Sequence, residues 1–311
     1  MDQANPLSSG RLNLNKRLRL GEDVIRSLLI GCSFISILTT VGVIIALSTE
    51  TVAFFQHPDV SIVEFFTSRE WIPNVSDNAS FGIAPLVVGT LLITGIALLF
   101  GIPLGLGSAI YLSEFATNRV RRIIMPILEI LAGVPTVVLG YFALFSVSPF
   151  LAEFIPGLKP TNALAAGLVM GFMLLPTVSS ISIDAMRAVP NRLREAAYGL
   201  GATKSEVTTK VVLPAALSGI VAAIILAMSR AIGETMLVTL AAGQQPNFSF
   251  DPRETFQTMT AYIVGAAKGD FDAGSPPLLA LYAVGATLFL ITLTLNIISD
   301  QVVTRFKEQY D

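Results

Sequence analysis

The residues best equipped for chemistry form one stretch, Ser229-Arg230-Ala231-Ile232-Gly233-Glu234-Thr235-Met236, with apolar sequence on both sides. Arg230 and Glu234 stand at i and i+4, a spacing that puts two side chains on one helical face and predicts a salt bridge. An arginine in the middle of a membrane helix costs about 2.5 to 3.5 kcal/mol on insertion scales, so Arg230 must face protein or a water-filled path. Two roles fit it. The pair can be neutralised glue between helices, or the guanidinium can offer its planar donors to an oxyanion such as phosphate or sulfate, with Glu234 setting its position or being displaced as the anion passes and Thr235 beside them on the pathway.

Glu129 is the next candidate. It lies one to two turns into another apolar run, and the Gly133-Val134-Pro135-Thr136 that follows can break a helix beside a pathway, which brings in Thr136. Glu114 has Arg119, Arg121 and Arg122 close by and reads as one member of an ion pair, and Asp184 reads as a partner of Arg187. His57 is the only histidine, so it has no companions for a metal or catalytic role. The apolar runs hold no His/Asp, Ser/His or metal-ligand constellation, which argues against an intramembrane enzyme.

The longest polar segment between apolar runs reads Glu195-Ala196-Ala197-Tyr198-Gly199-Leu200-Gly201 and, further on, Val211-Val212-Leu213-Pro214. Glu195 to Leu200 suits a short helix, Gly201 a turn, Ser205 to Val212 a second helix, and Pro214 the first turn of the next span. Thr203-Lys204-Ser205 has the ending of a phosphate-binding loop, but Thr203 replaces the required glycine and no strand precedes it. ATP must bind elsewhere.

The elements that position these residues follow from composition. Hydrophobic residues make up 53% of the 311 and charged residues 14%, with a mean hydropathy of +0.70, against about 25% charged residues in a soluble domain. Apolar runs at about 24–48, 83–112, 123–147, 161–182, 215–242 and 277–299 are long enough to cross a bilayer as helices, so the expected fold is an all-α membrane protein of six spans. Lys and Arg concentrate in alternate connections. Arg11, Lys16, Arg17 and Arg19, then Arg119, Arg121 and Arg122, then Arg187, Arg192, Arg194, Lys204 and Lys210, and finally Arg305 and Lys307 lie on one side; the other side has only Arg69, Lys159, Arg253 and Lys268. Both termini are therefore expected in the cytoplasm. The division expected is a basic tail at 1–23, a first span and outer loop at 24–82, a core at 83–300 containing the loop 183–214, and a tail at 301–311. In the outer loop, Trp71 reads as an interfacial anchor. Cys32 is the only cysteine, which excludes an internal disulfide, and nothing suggests nucleic-acid binding.

Glu195-Ala196-Ala197, Gly201, Leu213 and Pro214 resemble the EAA loop of bacterial ABC importer permeases, with Val211 where isoleucine is usual. Arg230-Ala231-Ile232-Gly233-Glu234-Thr235-Met236, Tyr111-Leu112-Ser113-Glu114-Phe115, Glu129 to Pro135 and the EAA loop together are similar to the PstC-type permeases of phosphate importers. The resemblance implies a type I (MetI-like) permease in a bacterial inner membrane. It also implies a homologous second permease of the PstA type, an ATPase dimer of the PstB type that binds ATP and Mg, an external phosphate-binding protein of the PstS type, and no cofactor or catalysis in this chain. The loop would lay its short helix in a groove of the ATPase. Sulfate or molybdate is the alternative cargo, and an ion-coupled secondary transporter leaves the EAA loop unexplained.

Overall fold

A computed structural model describes residues 20–73, 79–269, 271–272 and 274–306; residues 1–19 of the basic tail and 307–311 of the other tail lie outside the described residues. Apolar segments without water to satisfy their amides close their hydrogen bonds internally, so the apolar runs are helices. In chain order the elements are α1 (Leu20–Gln56), α2 (Ile62–Thr67), the strands β1 (Trp71–Ile72) and β2 (Ser80–Phe81), α3 (Ala84–Ile110), α4 (Asn118–Ala132), α5 (Thr136–Phe142), α6 (Ser148–Ala152), α7 (Ala163–Ala188) and α8 (Asn191–Gly199). They continue with α9 (Lys204–Val207), α10 (Leu213–Ala215), α11 (Leu217–Ile232), α12 (Met236–Ala241), α13 (Met259–Lys268) and α14 (Pro276–Phe306). Wider π turns extend α3 at Tyr111–Phe115, join α5 to α6 and join α9 to α10. The strands pair antiparallel, Trp71 opposite Phe81 and Ile72 opposite Ser80.

Among the described residues four helices are long and apolar enough to cross a membrane, and two bent pairs bring the number to as many as 6. The third expected span turns by 92° between α4 and α5, at the Gly133-Val134-Pro135 singled out above. The fifth differs from the expected 215–242. Pro214 sits in the separate short α10, the chain turns by 68° at Ala216, α11 ends at Ile232, and the helix resumes only at Met236.

The chain divides into two units, Met1–Ala46 and Leu47–Asp311. The first contains residues 20–46 of α1, an uninterrupted apolar stretch of helix. The second has three apolar clusters. One, around Ile93, Met170, Leu174, Leu237 and Phe256, joins α3, α7 and α12. Another gathers Phe54, Phe65, Trp71, Phe81 and Tyr262 edge to face. Trp71 is buried there against Tyr262, 4.8 Å between ring centroids, and is a core residue rather than the interfacial anchor expected from its type. The third, around Leu112, Ile183, Met186, Val207, Val212 and Ile220, lies at the end of the bundle that bears residues 183–216. Residues 243–258 are held by a Lys159–Glu254 ion pair and by Arg253, whose side-chain hydrogen bonds push the Asp251 carboxyl down to about 2.

α3 packs along α7, and glycine makes their close approach possible. A Cβ on Gly101 would stand 2.9 Å from the Gly171 carbonyl oxygen, and one on Gly105 would stand 2.8 Å from the Val178 Cβ; at Gly107 nothing lies within 4 Å. Close backbone approach of this kind is how helices gain dispersion energy where lipid removes the hydrophobic drive. Gly101→Ala is therefore expected to destabilise the fold by about 1 to 3 kcal/mol, the usual cost of overpacking. Gly107→Ala is expected to be neutral. Melting temperatures in detergent check both, and equal values would reject the tight α3–α7 contact.

Candidate functional site

The site begins where α11 stops. Arg230 lies in its last turn, where the negative end of the helix dipole favours a cation. Gly233 ends the helix and the backbone stays irregular through Thr235. Irregular backbone at membrane depth requires partners for its polar groups, and the local residues supply them. Thr235 Oγ1 donates to the Gly233 carbonyl (3.1 Å), Thr260 Oγ1 donates to the Glu234 carbonyl (2.8 Å), and Glu234 Oε1 accepts from the Leu237 amide (3.2 Å).

This break overturns the expected Arg230–Glu234 salt bridge. The i, i+4 rule holds only in a continuous helix, and Glu234 has left it. Glu234 and Thr235 stabilise the break, while Arg230 remains exposed and donates from Nη1 to Thr177 Oγ1 at 3.0 Å.

Thr177 leads to a cavity of about 180 Å³ between α4 and α7, lined by Glu129, Met125 and Ala132 from one helix and by Pro176, Thr177 and Ser180 from the other. The structure thus gathers three helices around one place: α11 through Arg230, α7 through Thr177 and α4 through Glu129. Glu129 has no ion-pair partner within 4.0 Å among the described residues. Thr136 opens α5 beyond the 92° turn and is not among the residues lining the cavity. A cation with hydroxyls beside it, and a carboxylate across a small cavity, can hold an oxyanion weakly and then repel it.

The 183–214 loop folds as helix, turn, helix. The first helix, α8, starts at Asn191, earlier than expected, and Gly201 follows it at φ +82°, a left-handed value that glycine adopts at no steric cost. Thr203 caps α9 in a reciprocal arrangement with Glu206. Glu195 and Ala196 are exposed, Ala197, Val211 and Leu213 pack against the cluster at that end of the bundle, and Pro214 lies in α10. Leu200 is 90% exposed at the tip.

Glu114 pairs with neither Arg119, Arg121 nor Arg122. Its partner is Arg194 of α8, and the pair is largely buried, with 8% and 18% of the two side chains exposed. Arg121 instead donates to the Leu112 and Ser113 carbonyls at the end of α3, where a helix leaves acceptors unsatisfied. Asp184 and Arg187 are both exposed and do not pair.

Residues 101–308 match the family described as the binding-protein-dependent transport system inner membrane component. The chain belongs to this family. It is 34% identical over 267 residues to the probable ABC transporter permease protein YqgH of Bacillus subtilis (strain 168), with 86% of each chain covered. It is 35% identical over 263 residues to the phosphate transport system permease protein PstC of Mesorhizobium japonicum, with 78% of each covered. A chain of the bacterial ABC transporter involved in alginate import superposes with a TM-score of 0.64 at 16% identity, over 93% of this chain and 100% of that one, a likeness of fold alone.

The protein is thus a multi-pass ABC importer permease of the inner membrane, a family of non-catalytic subunits, and the matched region contains both the broken α11 and the 183–214 loop. Within this permease, sequence reasoning missed Thr177, Thr260 and the Arg194–Glu114 pair. Thr177 adjoins Pro176 in an apolar run, a weak signal for a polar contact, and the other partners lie too far apart in the chain for any spacing rule.

Proposed function

We propose that this chain is the PstC-type half of an ATP-driven phosphate importer. Arg230 carries the reading: an exposed guanidinium inside a span, resting on a hydroxyl at the edge of a cavity, suits transient contact with a phosphate oxyanion. The 35% identity to a phosphate transport permease supports the cargo. In this reading both termini face the cytoplasm, as the Lys and Arg distribution indicates. An external binding protein delivers phosphate to a path shared with a second, homologous permease.

The exposed face of α8 and the loop tip, with Glu195, Ala196 and Leu200, docks on an ATPase dimer that binds ATP and Mg. A leucine left in water at the end of a short helix is an unfilled contact, which a groove on the partner would fill. The test is reconstitution of this chain in vesicles with a PstA-type permease, a PstB-type ATPase and a PstS-type binding protein. Phosphate uptake is expected to require ATP and to stop with vanadate. Uptake that persists without the ATPase would reject the proposal, and uptake of sulfate or molybdate in place of phosphate would reassign the cargo.

A further inference from the structure

The structure assigns Arg194 as the positioning residue that transmits movement of α8 to the membrane helices. The assignment rests on the proposed docking of α8 on an ATPase. No residue of α8 is fully buried, and its apolar hold is through the partly buried Leu193 and Ala197. Contacts of that kind are non-directional and allow sliding.

Among the described residues, the polar contacts of α8 with the membrane helices pass through Arg194. Its Nη1 donates to Glu114 Oε2, and its Nη2 donates to the Met186 carbonyl at 2.8 Å. One planar guanidinium therefore grips the ends of two membrane helices at fixed angles, which a compact ammonium could not do.

Each end leads to the candidate site. Met186 lies in the last turn of α7, and from there to Thr177 the helix rises by nine steps, about 13.5 Å at 1.5 Å each. Pro176 falls just beyond that segment, so the segment itself is unbroken. Thr177 in turn holds Arg230. On the other side Glu114 belongs to the π turn that continues α3, accepts from Ser113 Oγ at 2.9 Å, and sits beside the carbonyls that Arg121 of α4 holds. The same α4 carries Glu129. A displacement of α8 is thereby delivered to both walls of the cavity.

The test uses the reconstituted complex described above, with inorganic phosphate and its binding protein as the stimulus. Arg194→Gln and Glu114→Gln are each expected to assemble with the ATPase and keep basal ATP hydrolysis within about twofold. Stimulated hydrolysis and phosphate uptake are expected to fall by about 5- to 150-fold, the range of ordinary coupling energies. The double variant is expected to lose no more than Arg194→Gln alone, since that change already removes the bond to Glu114 together with the one to Met186.

Arg194→Lys keeps the charge but loses the fork, and should fall between wild type and Arg194→Gln in the ratio of stimulated to basal hydrolysis. If the Gln variants fail to assemble, this ratio in Arg194→Lys decides the matter. A wild-type ratio, additive losses in the double variant, or failure of Arg194→Lys to assemble would each overturn the assignment, the last by making the pair a requirement of folding. A wild-type complex that phosphate does not stimulate would count against the proposed function instead.

Discussion

Arg230→Gln is expected to reduce phosphate uptake by the reconstituted importer to background while leaving assembly with the ATPase intact. The side chain donates to Thr177 and is otherwise exposed, so little of the fold depends on it. Glutamine retains a donor for Thr177 but removes the charge that an oxyanion would meet. A hydrogen bond to a charged group contributes about 1.5 to 3 kcal/mol, equivalent to about 10- to 150-fold in rate if it is made only as the anion passes. Radiolabelled phosphate uptake, with co-purification of the ATPase as the control, provides the measurement. Normal uptake by this variant would remove Arg230 from the pathway and return it to the role of a tether between α11 and α7. Arg230→Lys separates charge from geometry, and uptake near wild type would show that charge alone suffices.

Gly201→Pro should uncouple the permease from its ATPase without affecting membrane insertion. Gly201 sits at φ +82° and its amide donates to the Tyr198 carbonyl at 2.9 Å. Proline is confined near φ −65° and has no amide hydrogen, so it can satisfy neither requirement. The turn would open and the angle between α8 and α9 would change, carrying Glu195 and Ala196 away from any groove that fits them now. Gly201→Ala provides a graded version, because a non-glycine residue in the left-handed region costs about 1 to 2 kcal/mol. A side chain would meet nothing within 4 Å, so backbone strain is the sole penalty. Insertion depends on the apolar spans and is left alone. The measurement is ATP hydrolysis with and without phosphate-loaded binding protein; co-purification of Gly201→Pro with an unchanged response would count against the loop as the coupling element.

The two sites were legible in the sequence to different degrees. The helix-turn-helix outline of the loop was read because its signals are local, Gly201 for a turn and apolar Val211 and Leu213 at its end, whereas the Asn191 start of α8 and the Thr203 cap came only with the structure. Around Arg230 the expected geometry was wrong. The i, i+4 rule needs a continuous helix, but a hydroxyl from Thr260, 26 residues further on, accommodates the break by donating to the Glu234 carbonyl. Glu114 shows the same limit. Three arginines stand within eight positions of it, and it pairs with Arg194, which is 80 residues away.

By itself the amino-acid order determined that this chain crosses a membrane, where most of its spans lie, which backbone positions turn, and that a cation sits inside the fifth apolar run. Each of these depends on free energies that are local along the chain: transfer of apolar side chains from water, the φ preference of glycine, and the rigidity of proline. Only the tertiary structure decided what each charge and each unsatisfied carbonyl meets. It set Arg230 on Thr177 rather than Glu234, Glu114 on Arg194 rather than its near neighbours, and Trp71 in an aromatic core rather than at an interface. Where little water competes, a buried polar group takes whichever partner the packing of helix ends brings within about 3 Å, and that packing depends on distant contacts such as the glycines between α3 and α7.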